Sequence, residues 1–238
     1  MKKKNKAIYL LFLMPFVYFA TACFVVWLVK TSGIYPSGSD TMYHVYRGDY
    51  VYNAIKSGNW YPLYDPAWYN GVEILRYWSP FPAYVMAFCQ YLAGGSQFGA
   101  YLFYIGGVCF LGACVWPFIG RGFNRPYLGA FIGLLWFFMP NNLCAIFIEG
   151  NLARSLSMIF LPVFIYSVYK YLYNHKLRYI PLMVFTFLLM ELCHLGYAGM
   201  VAIAVIIYGI VYIIQKGRKK AALDVVISMI FGFMLLGI

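Results

Sequence analysis

The chain has 238 residues, of which 63% are hydrophobic, 21% aromatic and only 11% charged, with a mean hydropathy of +0.72. A soluble domain cannot hide that much apolar surface in one core, so a soluble globular fold is excluded and a multi-pass membrane protein is indicated. The net charge of +11 does not mark a nucleic-acid binder, because the Lys and Arg residues fall in short clusters between apolar runs.

The chain opens with MKKKNK and continues through Ala7 to Val29, a run long enough to cross a hydrocarbon layer of ~30 Å. The ATAC stretch at Ala20 to Cys23 faintly resembles a cleavage site. The apolar run nevertheless continues to Val29 and is long for a signal-peptide core, so the segment reads as a retained first span. Further apolar segments follow at Pro80 to Ala93, Phe98 to Ile119, Tyr127 to Phe147, Leu156 to Tyr173, Tyr179 to Leu195, Gly196 to Ile214 and Ala221 to Ile238. Pro80 to Ala93 is short for a span. Were it to cross, Arg121 and Arg125, then Lys170, Lys176 and Arg178, then Lys216, Arg218, Lys219 and Lys220 would all face outward, against the positive-inside bias. The expectation is therefore an all-α integral membrane bundle of about seven spans, with Pro80 to Ala93 only partly inserted and the N-terminus cytoplasmic. Residues 1–238 read as one membrane module: 1–30 the cytoplasmic N-terminus and first span, 31–79 a large structured external loop, and 80–238 the remaining helices.

This topology gathers six of the seven acids on the outer side: Asp40, Asp49, Asp65 and Glu73 in the first loop, Glu149 beside Arg154 in a second turn, and Glu191 beside His194 in a third. One shared external site would account for that bias, since acids contribute little to orientation. The first loop holds nine Tyr, three Trp and no Phe, as expected of rings at the headgroup level, and suggests two short helices lying on the surface. One of them should run from Ser39 or Asp40 to Ser57 and stop at Gly58, with Asp40, His44 and Arg47 on one face.

The stretch GSDTMYHVYRGDYVYNAIKSGNWYPLYDPAWYNGVEILRYWSPFPAYVMAF resembles the first external loop of GT-C-type membrane glycosyltransferases. It is similar above all to the bacterial branch called YfhO-like or 6-pyruvoyl-tetrahydropterin synthase-related membrane proteins, a label that does not denote pterin chemistry. The resemblance covers about the first 90 residues, and EGNLARSLSMIFLP, Glu149 to Pro162, is similar to a further family segment. It implies a GT-C-like fold in a bacterial plasma membrane, and a polyprenyl-phosphate-linked sugar donor whose sugar passes to an acceptor on the outer face. It also implies catalytic roles for Asp40, as base toward the acceptor hydroxyl, and His44. Arg154, with Glu149 and His194, would bind the donor. Two departures stand against full activity: the family often shows adjacent acids where this chain has Asp40 followed by Thr41, and its chains are longer, whereas this one stops at FGFMLLGI inside an apolar run, as a fragment would.

Simpler readings stand beside these. Asp40 suits a helix cap, and Glu149 with Arg154 suits a structural ion pair at a helix start. Asp49, Asp65, Arg47 and Arg76 read as interfacial or solvated. Asp40, His44, Glu149, Glu191 and His194 have the donor types for a divalent cation, although a single Glu-x-x-His is more often a polar pair near a helix end. The six Cys residues lie in or beside apolar segments without a CxxC and read as packing residues. Gly106, Gly107 and Gly112 suggest close helix approach, with no nucleotide-loop pattern. A transporter or lipid-handling protein without catalytic activity is the alternative. Membrane lipids are the partners expected in either case, and no inverted repeat supports the transporter.

Overall fold

A computed structural model describes residues 2–36 and 38–237, with side chains from Phe12 onward. Among the described residues the regular structure is helical, with one isolated β-bridge between Asp65 and Val72. The chain divides into two compact units, one ending at Leu156 and one running from Ser157.

The first unit holds α1 (Lys2–Ser32), α2 (Thr41–Lys56), α3 (Phe81–Leu92), α4 (Gln97–Gly122) and α5 (Pro126–Leu135). After α5 the helical path changes pitch three times: a 3₁₀ turn over Trp136–Phe138, a short α6 (Pro140–Leu143) and a π turn over Cys144–Ile148. Pro140 explains the break, because it lacks an N–H and suits only the first turn of a new helix. The sequence reading of one uninterrupted span from Tyr127 to Phe147 is corrected here. Residues Pro126–Ile148 remain long and apolar enough together to cross a membrane.

α4 and α5 form a tight hairpin in which Gly120 and Gly129 meet backbone to backbone; a Cβ on Gly120 would lie 2.6 Å from the Gly129 Cα. α1 packs on both, and the Tyr18 hydroxyl donates to the Ala130 carbonyl at 2.8 Å. Of the three expected close-approach glycines, Gly112 lies under Trp136 and Gly106 beside Val26, while Gly107 faces open space.

The second unit takes up α7 (Leu152–Asn174) from Ser157 onward, then α8 (Tyr179–Cys193), α9 (Leu195–Lys216) and α10 (Lys219–Met234). Its core is built on Phe164, Leu172, Met183, Phe187, Met190 and Met229. The turn between α9 and α10 uses Gly217 at φ 67°, the left-handed cap that glycine accepts without strain.

Among the described residues, five helical stretches are long and apolar enough to span: Phe12–Ser32, Gln97–Gly122, Pro126–Ile148, Leu152–Asn174 and Leu195–Lys216. α3, with 12 residues, is only ~18 Å long at a rise of ~1.5 Å per residue, well short of a crossing.

The segment from residue 41 to residue 92 has a core of its own. Val51 of α2, Ile74 and Leu75 of the loop, and Ala83 and Ala87 of α3 close on one another, with Tyr46, Tyr52, Val72 and Tyr84 packed around them. α2 runs as the sequence suggests, with Asp40 and Ser57 at its caps and Gly58 at φ 86°. The second expected surface helix does not form between residues 57 and 79. That stretch is irregular and is held by the Asp65–Val72 bridge and by side chains, because its Pro, Gly and Asn residues favour turns.

Candidate functional site

The first turn of α2 is seated on the turn that precedes α7. The Asp40 amide donates to the Glu149 carbonyl oxygen at 3.0 Å, and the Ser39 hydroxyl donates to the same oxygen at 2.9 Å. The approach is close enough to require glycine on both sides. Gly150 sits at φ 68°, a Cβ on it would lie 2.2 Å from Thr41 Oγ1, and a Cβ on Gly38 would lie 2.5 Å from the Gly150 Cα. Residues read as parts of separate loops therefore meet at one junction.

Asp40 occupies the N-cap position but its carboxylate makes no capping hydrogen bond; only its carbonyl enters the helix, accepting from the His44 amide at 3.1 Å. Capping thus leaves this carboxylate unexplained. Glu149 is aimed by the π turn, in which its amide donates to the Cys144 carbonyl at 2.8 Å. Such turns insert a residue into a helix and recur at functional sites. The Glu149 carboxylate takes Arg154 Nη1 at 2.5 Å and, more weakly, the Cys144 thiol at 3.4 Å. Arg154 also donates to Asn141 Oδ1 at 2.9 Å, and the Asn151 side chain receives the Arg154 amide at 2.9 Å. The Glu149–Arg154 pair thereby fixes the start of α7 and neutralises the guanidinium. The sequence does not single out Asn141, whose part depends on the break after α5.

Three turns of α2 present Asp40, His44 and Arg47, and their environments diverge. Arg47, read from sequence as interfacial or solvated, is 1% exposed and ranks among the largest fully buried side chains. Its Nη2 donates to the carbonyls of Trp78 and Ser79, both at 3.3 Å, while its Nε has no partner among the described residues. The guanidinium carbon stands 5.5 Å from the Tyr43 ring centre and 6.0 Å from that of Trp78, within reach of a cation–π attraction. Burial lowers its pKa, with Tyr43 and Tyr104 pushing the other way, and a guanidinium stays protonated under such shifts. Burial also pushes the Tyr43 phenol up to about 12, assisted by Asp40 and opposed by Arg47.

His44 is buried and faces a narrow crevice with Arg47, Pro82 and Met86 of the next layer, Tyr104 of α4 and Leu152 of α7. The Tyr104 hydroxyl donates to the Leu152 carbonyl at 2.9 Å.

Asp65 is a second correction. It is 2% exposed, accepts from the Tyr46 hydroxyl at 2.6 Å and the Ala67 amide at 2.9 Å, and pairs its backbone with Val72. Asp49 takes the Gln90 side-chain amide at 2.7 Å, tying α2 to α3. Arg76 and Glu73 form an exposed pair, as a solvated reading requires.

In the second unit, His194 lies between α8 and α9 and its Nδ1 accepts the Tyr197 amide at 3.0 Å, a helix-capping role. Glu191 is buried one turn earlier. Within either unit, no three His, Cys, Asp or Glu side chains are placed to hold a metal ion among the described residues, so the five candidate ligands do not assemble there.

The profile of a family described as 6-pyruvoyl-tetrahydropterin synthase related domain, a membrane protein, matches residues 75–238. The match takes in α3, the Glu149–Pro162 segment and His194, and begins after Asp40, His44 and Arg47. Comparison with curated proteins and with solved structures finds no match.

Proposed function

The chain belongs to this family of membrane proteins, and we propose that within it the chain acts as a GT-C-type glycosyltransferase, or as the donor-binding part of one, in a bacterial plasma membrane. On this reading α8 and α10 add to the five long helices to give about seven spans, and the α2–α7 junction lies on the outer face.

The observation that supports the proposal is the seating of the Asp40 backbone on the Glu149 carbonyl, which brings a residue whose carboxylate makes no capping bond to the turn before α7. In the reaction the acceptor hydroxyl oxygen attacks the anomeric carbon of a polyprenyl-phosphate-linked sugar. The bond from that carbon to the phosphate oxygen breaks, the phosphate leaves with the electron pair, and Asp40 takes the hydroxyl proton. Glu149 and Arg154 hold the backbone of the junction, and His44, one turn further along α2, serves as a phosphate partner or acid/base group. The lipid tail of the donor would lie against exposed apolar side chains, of which the first unit has many.

The test is transfer by the full chain in liposomes supplied with labelled polyprenyl phosphate sugars. Asp40→Asn keeps the shape and removes the proton acceptor, and should lower kcat by ~10²-fold or more. Transfer at the unmodified rate removes Asp40 from catalysis, and absence of transfer by the unmodified chain with every donor overturns the class.

A further inference from the structure

The two arginines near the α2–α7 junction differ in one respect. Arg154 is balanced by Glu149 at 2.5 Å. Arg47 is more deeply buried, and among the described residues no carboxylate pairs with it and its side-chain hydrogen bonds run from a single nitrogen to two neutral carbonyls at 3.3 Å. An uncompensated charge in such surroundings is costly, and proteins keep one where a partner supplies the missing charge.

The crevice that Arg47 lines says what kind of partner fits. Its polar groups are the guanidinium, the His44 imidazole and the Tyr104 hydroxyl, and it contains no acid. Its remaining walls are apolar, with Met86 and Pro82 on one side and Leu152 on the other. The Nε edge of the guanidinium has no partner, so the fork that matches a phosphate in two parallel bonds is half open. His44 precedes Arg47 by three residues on α2 and lines the same crevice.

We propose that this crevice, between α2, α3, α4 and the head of α7, binds a phosphate group, with Arg47 as its charge partner and His44 as a second donor. The space is closed in this structure, with Met86 buried and packed on Gly48, so binding requires the unbranched Met86 side chain to move. Where the phosphate belongs to a sugar carrier, the inference rests on the glycosyl-transfer reading; phosphate binding itself stands without transfer.

The experiment uses the full chain in phosphatidylcholine nanodiscs, with three probes: polyprenyl phosphate, phosphatidic acid and inorganic phosphate. The readout is the melting temperature. A probe phosphate should raise the melting temperature of the unmodified chain, and Arg47→Met should weaken its binding by about tenfold or more, the scale of one charge-assisted contact. Without probe, Arg47→Met should melt no lower than the unmodified chain, because the variant lacks the unbalanced charge. A purely structural arginine predicts the opposite. A shift with the lipids alone assigns a membrane phosphate, and a shift with inorganic phosphate assigns a soluble one. If no probe shifts the unmodified chain, or if Arg47→Met keeps the full shift, the proposal falls. Should Arg47→Met not fold, Arg47→Lys keeps the charge and loses the fork, and unchanged affinity in that variant overturns the proposal equally. Binding without sugar transfer would sink the glycosyl-transfer reading alone.

Discussion

Asp40 and Glu149 are joined through their backbones, the amide of the first donating to the carbonyl of the second at 3.0 Å, so the carboxylate of each is left to its own partners. The bond fixes where the side chains start and leaves their chemistry free.

Glycine at the junction is the first consequence. Gly150→Ala would place a Cβ 2.2 Å from Thr41 Oγ1 at a φ of 68°. Left-handed strain of ~1–2 kcal/mol and overpacking of ~1–3 kcal/mol should add, lowering the melting temperature and loosening the start of α2. Amide hydrogen exchange of residues 40–45 should rise in this variant and stay unchanged in Gly107→Ala, where the added methyl meets open space.

The Glu149–Arg154 pair is partly buried, with side-chain exposures of 37% and 18%. Removing either partner should cost about 1–3 kcal/mol, between the values for exposed and buried pairs. A double-mutant cycle with Glu149→Gln and Arg154→Met measures the coupling. A coupling near zero would show that Asn141 and Asn151 suffice to hold Arg154.

Alkaline pH should loosen the loop. Burial and the Asp65 hydrogen bond raise the Tyr46 pKa from 10.0 to about 12. A folded-state pKa above the unfolded one means that this contribution is complete below pH 10 and is lost as the pH rises toward 12. Tyrosinate absorbance and Trp fluorescence should change together over that window. Tyr46→Phe should reduce the Trp fluorescence change over that window and cost about 0.5–1.5 kcal/mol at neutral pH.

Topology is open to labelling in a Cys-free background. Ser39 and Asn141 are exposed and both belong to the junction, so Ser39→Cys and Asn141→Cys should react with an impermeant reagent from the same side. Arg121→Cys, at the far end of α4, should react only from the other side. Reaction of positions 39 and 141 from opposite faces would contradict the junction itself.

The parts of the fold legible from sequence are those with local signals. Thr41–Lys56 declares itself through a start residue and a stopping glycine, and Phe81–Leu92 is too short to cross whatever surrounds it. Arg47 and Asp65 read as interfacial or solvated because their residue types usually are. What buries them is non-local: the carbonyls of Trp78 and Ser79 for Arg47, and the Tyr46 hydroxyl for Asp65. The break after α5 had a local signal in Met139-Pro140, which an average of hydrophobicity over the segment conceals. The π turn that aims Glu149 has no sequence signature.

The small core shared by α2, the irregular stretch and α3 has a kinetic consequence. All its contacts lie between residues 46 and 87, so this hairpin can condense while later helices are still being synthesised and inserted. Asp40 must wait for Glu149, which emerges only after α4, α5 and the π turn. The junction is therefore among the last contacts made in the first unit, a clasp that closes on a preassembled piece. A chain interrupted before Glu149 would still carry a folded loop, with nothing for its first turn to rest on.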